Sequence, residues 1–111
     1  MPKTRLARFR LAAHTAQHGL CYYCRKPMWL EDPERFRTQW SLAPGDTRDR
    51  RCTAEHLVAR KDGGGDCPDN IVAACLKCNR GRHARKTPME PKQFGKYVRA
   101  RVRKGRIGRP R

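Results

Sequence analysis

Two Cys-x-x-Cys pairs, Cys21 with Cys24 and Cys75 with Cys78, stand with fifty residues between them in a chain of 111, and no other feature restricts the fold as much. Four thiolates offered on two short turns are the usual means of closing a tetrahedral structural zinc site. In an ordinary zinc ribbon the pairs lie ~15–20 residues apart; here a single Zn²⁺ would bracket everything between Cys24 and Cys75. A thioredoxin-like redox pair would need a βαβ pattern, which the sequence lacks, and four unconnected thiols would leave the chain without a staple. Only 37% of the residues are apolar, too few to fill a large core, so something besides hydrophobic burial must hold the domain. Cys52 and Cys67 fall outside the pairs, on opposite limbs of a turn, and read as small buried thiols.

Charge narrows the partner. Lys and Arg outnumber Asp and Glu by 27 to 10, a net charge of +17, which favours a polyanion over a neutral small substrate. The excess is concentrated: from Arg80 onward there are thirteen basic residues and one acid, Glu90. Nucleic acid is the expected partner. No apolar run approaches the ~20 residues needed to span a bilayer, so no membrane is expected. The opening "MPKTRLARFRLAAH" lacks an apolar core and a small-residue cleavage site, and its arginines run without a spacer into the first cysteine pair. These features suggest an intracellular, cytoplasmic protein.

Local patterns divide the chain into a basic N-terminal helix (1–20), a central domain (21–86) with an irregular insertion at 25–51, and a basic C-terminal helix and flexible tail (87–111). Leu6, Phe9 and Ala13 recur at helical spacing among arginines, and Gly19 is a natural stop. Pro33, Pro44, Gly45 and Asp46 mark the insertion, whose Trp29, Phe36 and Trp40 are expected to cover the core. Cys52 to Val58 suits a strand, and Gly63, Gly64 and Gly65 permit a sharp return. "IVAACLKC" begins a second strand that should pass into a helix through "NRGRHARK". "KQFGKYVRARVRK" suits a short helix, and "GRIGRPR" reads as a basic arm with a slight likeness to an AT-hook.

Within Thr53–Arg85, "EH" at Glu55-His56, the glycine turn, "DN" at Asp69-Asn70 and "CLKCNRGR" from Cys75 to Arg82 resemble the HNH endonuclease family, specifically its four-cysteine, zinc-stapled subgroup. Fourteen positions separate His56 from Asn70 and nine separate Asn70 from Asn79, in keeping with that resemblance. It implies a small α+β protein with a ββα-metal (His-Me finger) fold, a structural four-cysteine zinc knuckle and flanking short helices. It further implies hydrolysis of DNA phosphodiester bonds, by nicking or double-strand cleavage.

By the same resemblance His56 is the general base that activates water, since neutral imidazole accepts a proton near neutral pH. Asn70 orients that histidine, directly or through the backbone. Glu55 and Asn79 occupy metal-ligand positions whose oxygens suit Mg²⁺ or Mn²⁺. The family often has Asp where this chain has Glu55, and Asn79 replaces a frequent histidine. His83, one helical turn after Asn79, faces either the same ion or phosphate and solvent; as a ligand it would favour Mn²⁺, Ni²⁺ or Zn²⁺. Arg80, Arg82, Arg85 and Lys86 follow as expected phosphate clamps. One site makes one cut, so double-strand cleavage would call for a homodimer, successive nicks or a larger complex such as a phage terminase. The alternative is a non-catalytic zinc-ribbon protein that binds nucleic acid through the same charge.

Overall fold

Thr4 starts the first helix, its hydroxyl accepting the Ala7 N–H at 3.0 Å, and α1 (Arg5–Ala16) follows. The helix stops where His18 and Gly19 take up left-handed backbone (φ 56° and 76°), which swings the chain into the first cysteine turn. The structure, a computed structural model, describes residues 2–103; the expected arm "GRIGRPR" lies outside the described residues.

The centre is an antiparallel pair, β1 (Cys52–His56) and β2 (Ile71–Cys75), in a register that sets Cys52 opposite Cys75 and Glu55 opposite Val72. A sheet of two strands has open edges that need covering. Gln17 covers β2: its amide donates to Ala73 O and accepts from Ala73 N at 2.8 and 2.9 Å, standing in for a third strand. Tyr22 N adds a bond to the same carbonyl at 2.9 Å. On β1, Cys52 N donates to Trp29 O at 2.8 Å.

Helix α4 (Leu76–His83) begins directly at the end of β2, earlier than the expected entry through Asn79. The reason lies in the cysteine turn itself, because Cys75 Sγ accepts the Cys78 N–H at 3.5 Å and caps the helix. Gly81 is accommodated within α4, with the Phe94 ring 3.8 Å from where its Cβ would be. Helix α5 (Pro91–Arg103) lays Phe94 and Val98 on the cysteine turn, and Phe94 meets Tyr23 edge-to-face at 5.0 Å.

The insertion at 25–51 is not irregular. It carries α2 (Pro33–Trp40), capped by Asp32 accepting from Arg35 N at 3.0 Å, and α3 (Pro44–Asp49). Pro33 and Pro44 occupy first-turn positions, where a missing N–H costs nothing and the fixed φ favours the helix. Phe36 is buried and Trp29 donates its indole N–H to Thr47 O at 2.7 Å, but Trp40 remains 47% exposed and does not cover the core. Cys52 is buried, its thiol pushed up to about 11 by desolvation, whereas Cys67 is exposed on a loop and is not the buried thiol expected.

Around these elements the small α+β fold is stapled by Cys21, Cys24, Cys75 and Cys78, whose sulfurs all lie within 4.8 Å of one another. Tetrahedral Zn–S bonds of ~2.3 Å put ligand sulfurs about 3.8 Å apart, and Cys24 Sγ to Cys75 Sγ is 3.9 Å. The cluster therefore fits a structural metal such as zinc. Hydrogen bonds from its neighbours hold the Cys21 thiol far below the ordinary range, and the Cys21 sulfur in turn pushes the Cys75 and Cys78 thiols up. Four crowded sulfurs cannot all be thiolates without a cation.

The purified protein is expected to carry one equivalent of zinc, read by atomic absorption. Cys24→Ser should lower the zinc content and the thermal midpoint together, since such a site contributes folding energy; a zinc-free protein with an unchanged midpoint would refute the staple.

Candidate active site

Successive strand residues point to opposite faces, and Glu55 and His56 divide in this way. Glu55 turns inward and is 1% exposed. A carboxylate without water needs charged or hydrogen-bonded partners, and Glu55 has three. Its Oε2 accepts from the Tyr23 hydroxyl at 2.7 Å and from Arg82 at 2.9 Å; its Oε1 lies 2.9 Å from His83 Nε2. Burial, then the Glu55 charge, holds the Tyr23 phenol far above its ordinary pKa, so it remains a donor.

Arg82 departs from the expected phosphate clamp. It is 5% exposed, and besides Glu55 it donates to the carbonyls of Met89, His56 and Leu57 at 3.0, 3.2 and 2.9 Å. It falls one turn after Cys78, on the helix face that the cysteine staple turns to the core. Arg80, Arg85 and Lys86 are exposed; the guanidinium groups of Arg85 and Arg101 both lie over the Tyr97 ring, at 5.3 and 5.4 Å.

Asn79 and His83, one turn apart on α4, both meet β1 on the Glu55 face. Asn79 donates to Thr53 Oγ1 at 2.9 Å, while His83, its side chain 29% exposed, reaches Glu55. Glu55 Oε1 and His83 Nε2 thus present an oxygen and a nitrogen donor 2.9 Å apart. Two neighbouring ligands at ~2.1 Å from one octahedral ion are separated by about 3 Å, so the pair suits either a hydrogen bond or a shared cation.

On the other face, His56 Nε2 lies 2.7 Å from Asp66 Oδ1, and Arg60 reaches both oxygens of Asp66 at 3.2 Å. The His56 hydrogen bond, reinforced by Arg60, holds the Asp66 carboxyl below its usual pKa. Arg60 Nε also approaches His56 Nε2 at 3.3 Å. A neutral ring nitrogen cannot donate and accept at once; of the two contacts, the shorter one to a carboxylate favours the tautomer with the proton on Nε2 and the lone pair on Nδ1. Among the described residues no hydrogen bond joins His56 to Glu55, Asn79 or His83.

Asn70 reaches His56 through the backbone. Its Oδ1 accepts from Val58 N at 2.8 Å, and its Nδ2 donates to Val58 O and Gly65 O at 3.0 and 3.1 Å. Fixing Gly65 fixes the next residue, Asp66, against the His56 ring. The clamp works because Gly64 has no Cβ: one there would stand 1.7 Å from Val58 O. Of the three glycines, Gly63 alone has positive φ, at 92°.

Residues 42–85 match the family model described as HNH endonuclease. The chain carries an HNH endonuclease domain. This match spans Glu55, His56, Asn70 and Asn79 together with the second cysteine pair; Cys21 and Cys24 reach the HNH segment from outside it. No curated protein and no solved structure matches the chain. Tyr23 and Asp66, which prop the HNH residues from two sides, were not singled out in the sequence; the nearest signals are an aromatic inside a cysteine turn and an acid directly after the glycines.

Two stability measurements check these contacts. Arg82→Met strands a buried charge and should cost about 3–5 kcal/mol in denaturant unfolding, whereas Arg80→Met on the exposed face should stay within ~0.5 kcal/mol. Gly64→Ala should destabilise by roughly 1–3 kcal/mol through overpacking, while Gly65→Ala, with nothing within 4 Å of its Cβ position, should be near neutral.

Proposed function

We propose that this protein is a metal-dependent endonuclease that hydrolyses phosphodiester bonds of DNA, with His56 as general base. The observation that carries the reading is the Asp66 carboxylate 2.7 Å from His56 Nε2. Held there, it orients the ring and favours the tautomer whose Nδ1 can accept a proton from water. A histidine kept only for packing has no need of a carboxylate held in place by Asn70 through Gly65.

Glu55, His83 and Asn79 would hold the catalytic divalent ion. The first two supply the donor pair already 2.9 Å apart, and Asn79 contributes its carbonyl oxygen from the same helix face. Bound there, the cation would neutralise charge developing on the phosphate and favour departure of the 3′ oxygen. Oxygen donors admit Mg²⁺, and an imidazole in the set shifts preference toward Mn²⁺ or Ni²⁺. Tyr23 and Arg82 hold Glu55 by its Oε2, so that its Oε1 edge faces His83. Arg80 and Lys86, exposed on and just beyond α4, would meet phosphates beside the scissile one. The nuclease domain is taken to be residues 21–86, and one copy would make one nick.

The test is nicking of supercoiled plasmid by the zinc-loaded chain with added Mg²⁺, Mn²⁺ or Ni²⁺. His56→Ala should reduce the rate by at least about 100-fold, with DNA affinity and zinc content unchanged. If the folded wild type binds DNA and nicks it with none of these ions, the chain is a non-catalytic zinc-stapled binding protein.

A further inference from the structure

A cavity of about 550 Å³ opens between the first cysteine turn and the start of α5. Four cations line it, Arg25, Lys92, Lys96 and Arg99, with Tyr22 beside them and no acid on its wall. None of the four takes part in an ion pair among the described residues. With 27 cations against ten acids many surface cations go unpaired; what sets these four apart is that they converge on one concave wall.

The seat is also shaped. Arg99 lies across Gly95, where a Cβ would come within 2.8 Å of its NH1, and that NH1 donates to Tyr23 O at 2.9 Å. The remaining guanidinium donors are left for a ligand. Burial, followed by the charges of Arg25 and Arg103, lowers the Arg99 pKa, the sign of a cation short of an anion. Arg25 comes in from the cysteine turn at φ 64°, and Tyr22 is 38% exposed beside it.

We propose that this groove is a second DNA-backbone site, which grips phosphates of the substrate away from the scissile bond. From the preceding reading it takes only that DNA is the substrate. Four cations on a concave wall match the regular charge of a phosphate backbone, and Tyr22 offers an apolar face to sugar or base. Tyr23 spans the two sites, its carbonyl meeting Arg99 in the groove and its hydroxyl meeting Glu55. DNA held in the groove is therefore held against the same residue that orients the catalytic carboxylate.

The experiment measures affinity of the zinc-loaded chain for a short duplex, without added divalent ion, by fluorescence anisotropy across a salt series. Each lost phosphate contact lowers the salt slope by about 0.9, equivalent to about eightfold in affinity at 0.1 M salt. Arg25→Gly should weaken binding by about eightfold while leaving the fold as stable or more so, because glycine accepts the positive φ. Lys92→Glu with Lys96→Glu should lose at least about 50-fold and about 1.8 in slope. A control of equal charge change, Arg35→Glu with Arg48→Glu on α2 and α3, should lose far less. Equal losses in both double variants, or no loss with Arg25→Gly, would overturn the groove. Because binding is read without cleavage, a wild type that binds through the groove but never nicks would refute the nuclease and leave the groove standing.

Discussion

A carboxylate with 1% exposure is stable only if its surroundings replace water on both oxygens, and Glu55 imposes that condition on the molecule. Its partners come from segments far apart in the chain: Tyr23 from the first cysteine turn, Arg82 and His83 from the helix that begins in the second. The four-thiol cluster is what makes them neighbours, because it fixes the two turns against each other. In exchange, the Glu55–Arg82 pair ties α4 to β1 and, through Met89 and Leu57, to the chain on either side. Staple and ion pair are thus parts of one constraint, which compensates for a core of few large side chains.

The alternation of β1 then sends Glu55 and His56 into different surroundings, which suits the two tasks that the proposed nuclease has to keep apart. Inward, Glu55 needs a dry, charge-balanced setting if it is to hold a cation. Outward, a general base must reach water, and His56, its side chain 14% exposed, is held by a loop rather than by the core. That loop is positioned by Asn70 acting as a substitute backbone, paired with both polar groups of Val58. The asparagine acts two steps away from the chemistry, which explains how a residue that does not touch the histidine can still set its orientation.

What was legible in the sequence follows from which signals are local. The cysteine spacing disclosed the staple; the short apolar runs disclosed β1 and β2; the spacing of Leu6, Phe9 and Ala13, with Gly19 as the stop, disclosed α1. Signals that depend on context misled. Pro33 and Pro44 read as breaks, although the same residue type starts helices when it falls in the first turn. Arg82 looked like one more cation in a basic stretch, since nothing local separates an arginine that faces a buried carboxylate from one that faces DNA; the separation lies in its place one turn after Cys78. Trp40 and Cys67 were assigned to the interior from residue type alone, and each sits at the end or tip of an element where little packs over it. Asp66 was hidden because its meaning depends on a turn bringing residue 66 back to residue 56.

The distribution of acids gives the surface a polarity that the net charge conceals. Five of the ten, Glu31, Asp32, Glu34, Asp46 and Asp49, fall in the insertion, where three arginines accompany them between residues 31 and 49. Two more, Glu55 and Asp66, are spent on the candidate site. Three, Asp62, Asp69 and Glu90, are left for the rest of the chain, and none of the ten lines the groove between the first cysteine turn and α5, so the electrostatic potential there is steeper than a uniform +17 would give. A polyanion approaching by diffusion would be drawn most strongly toward the face where Arg25, Lys92 and Lys96 converge.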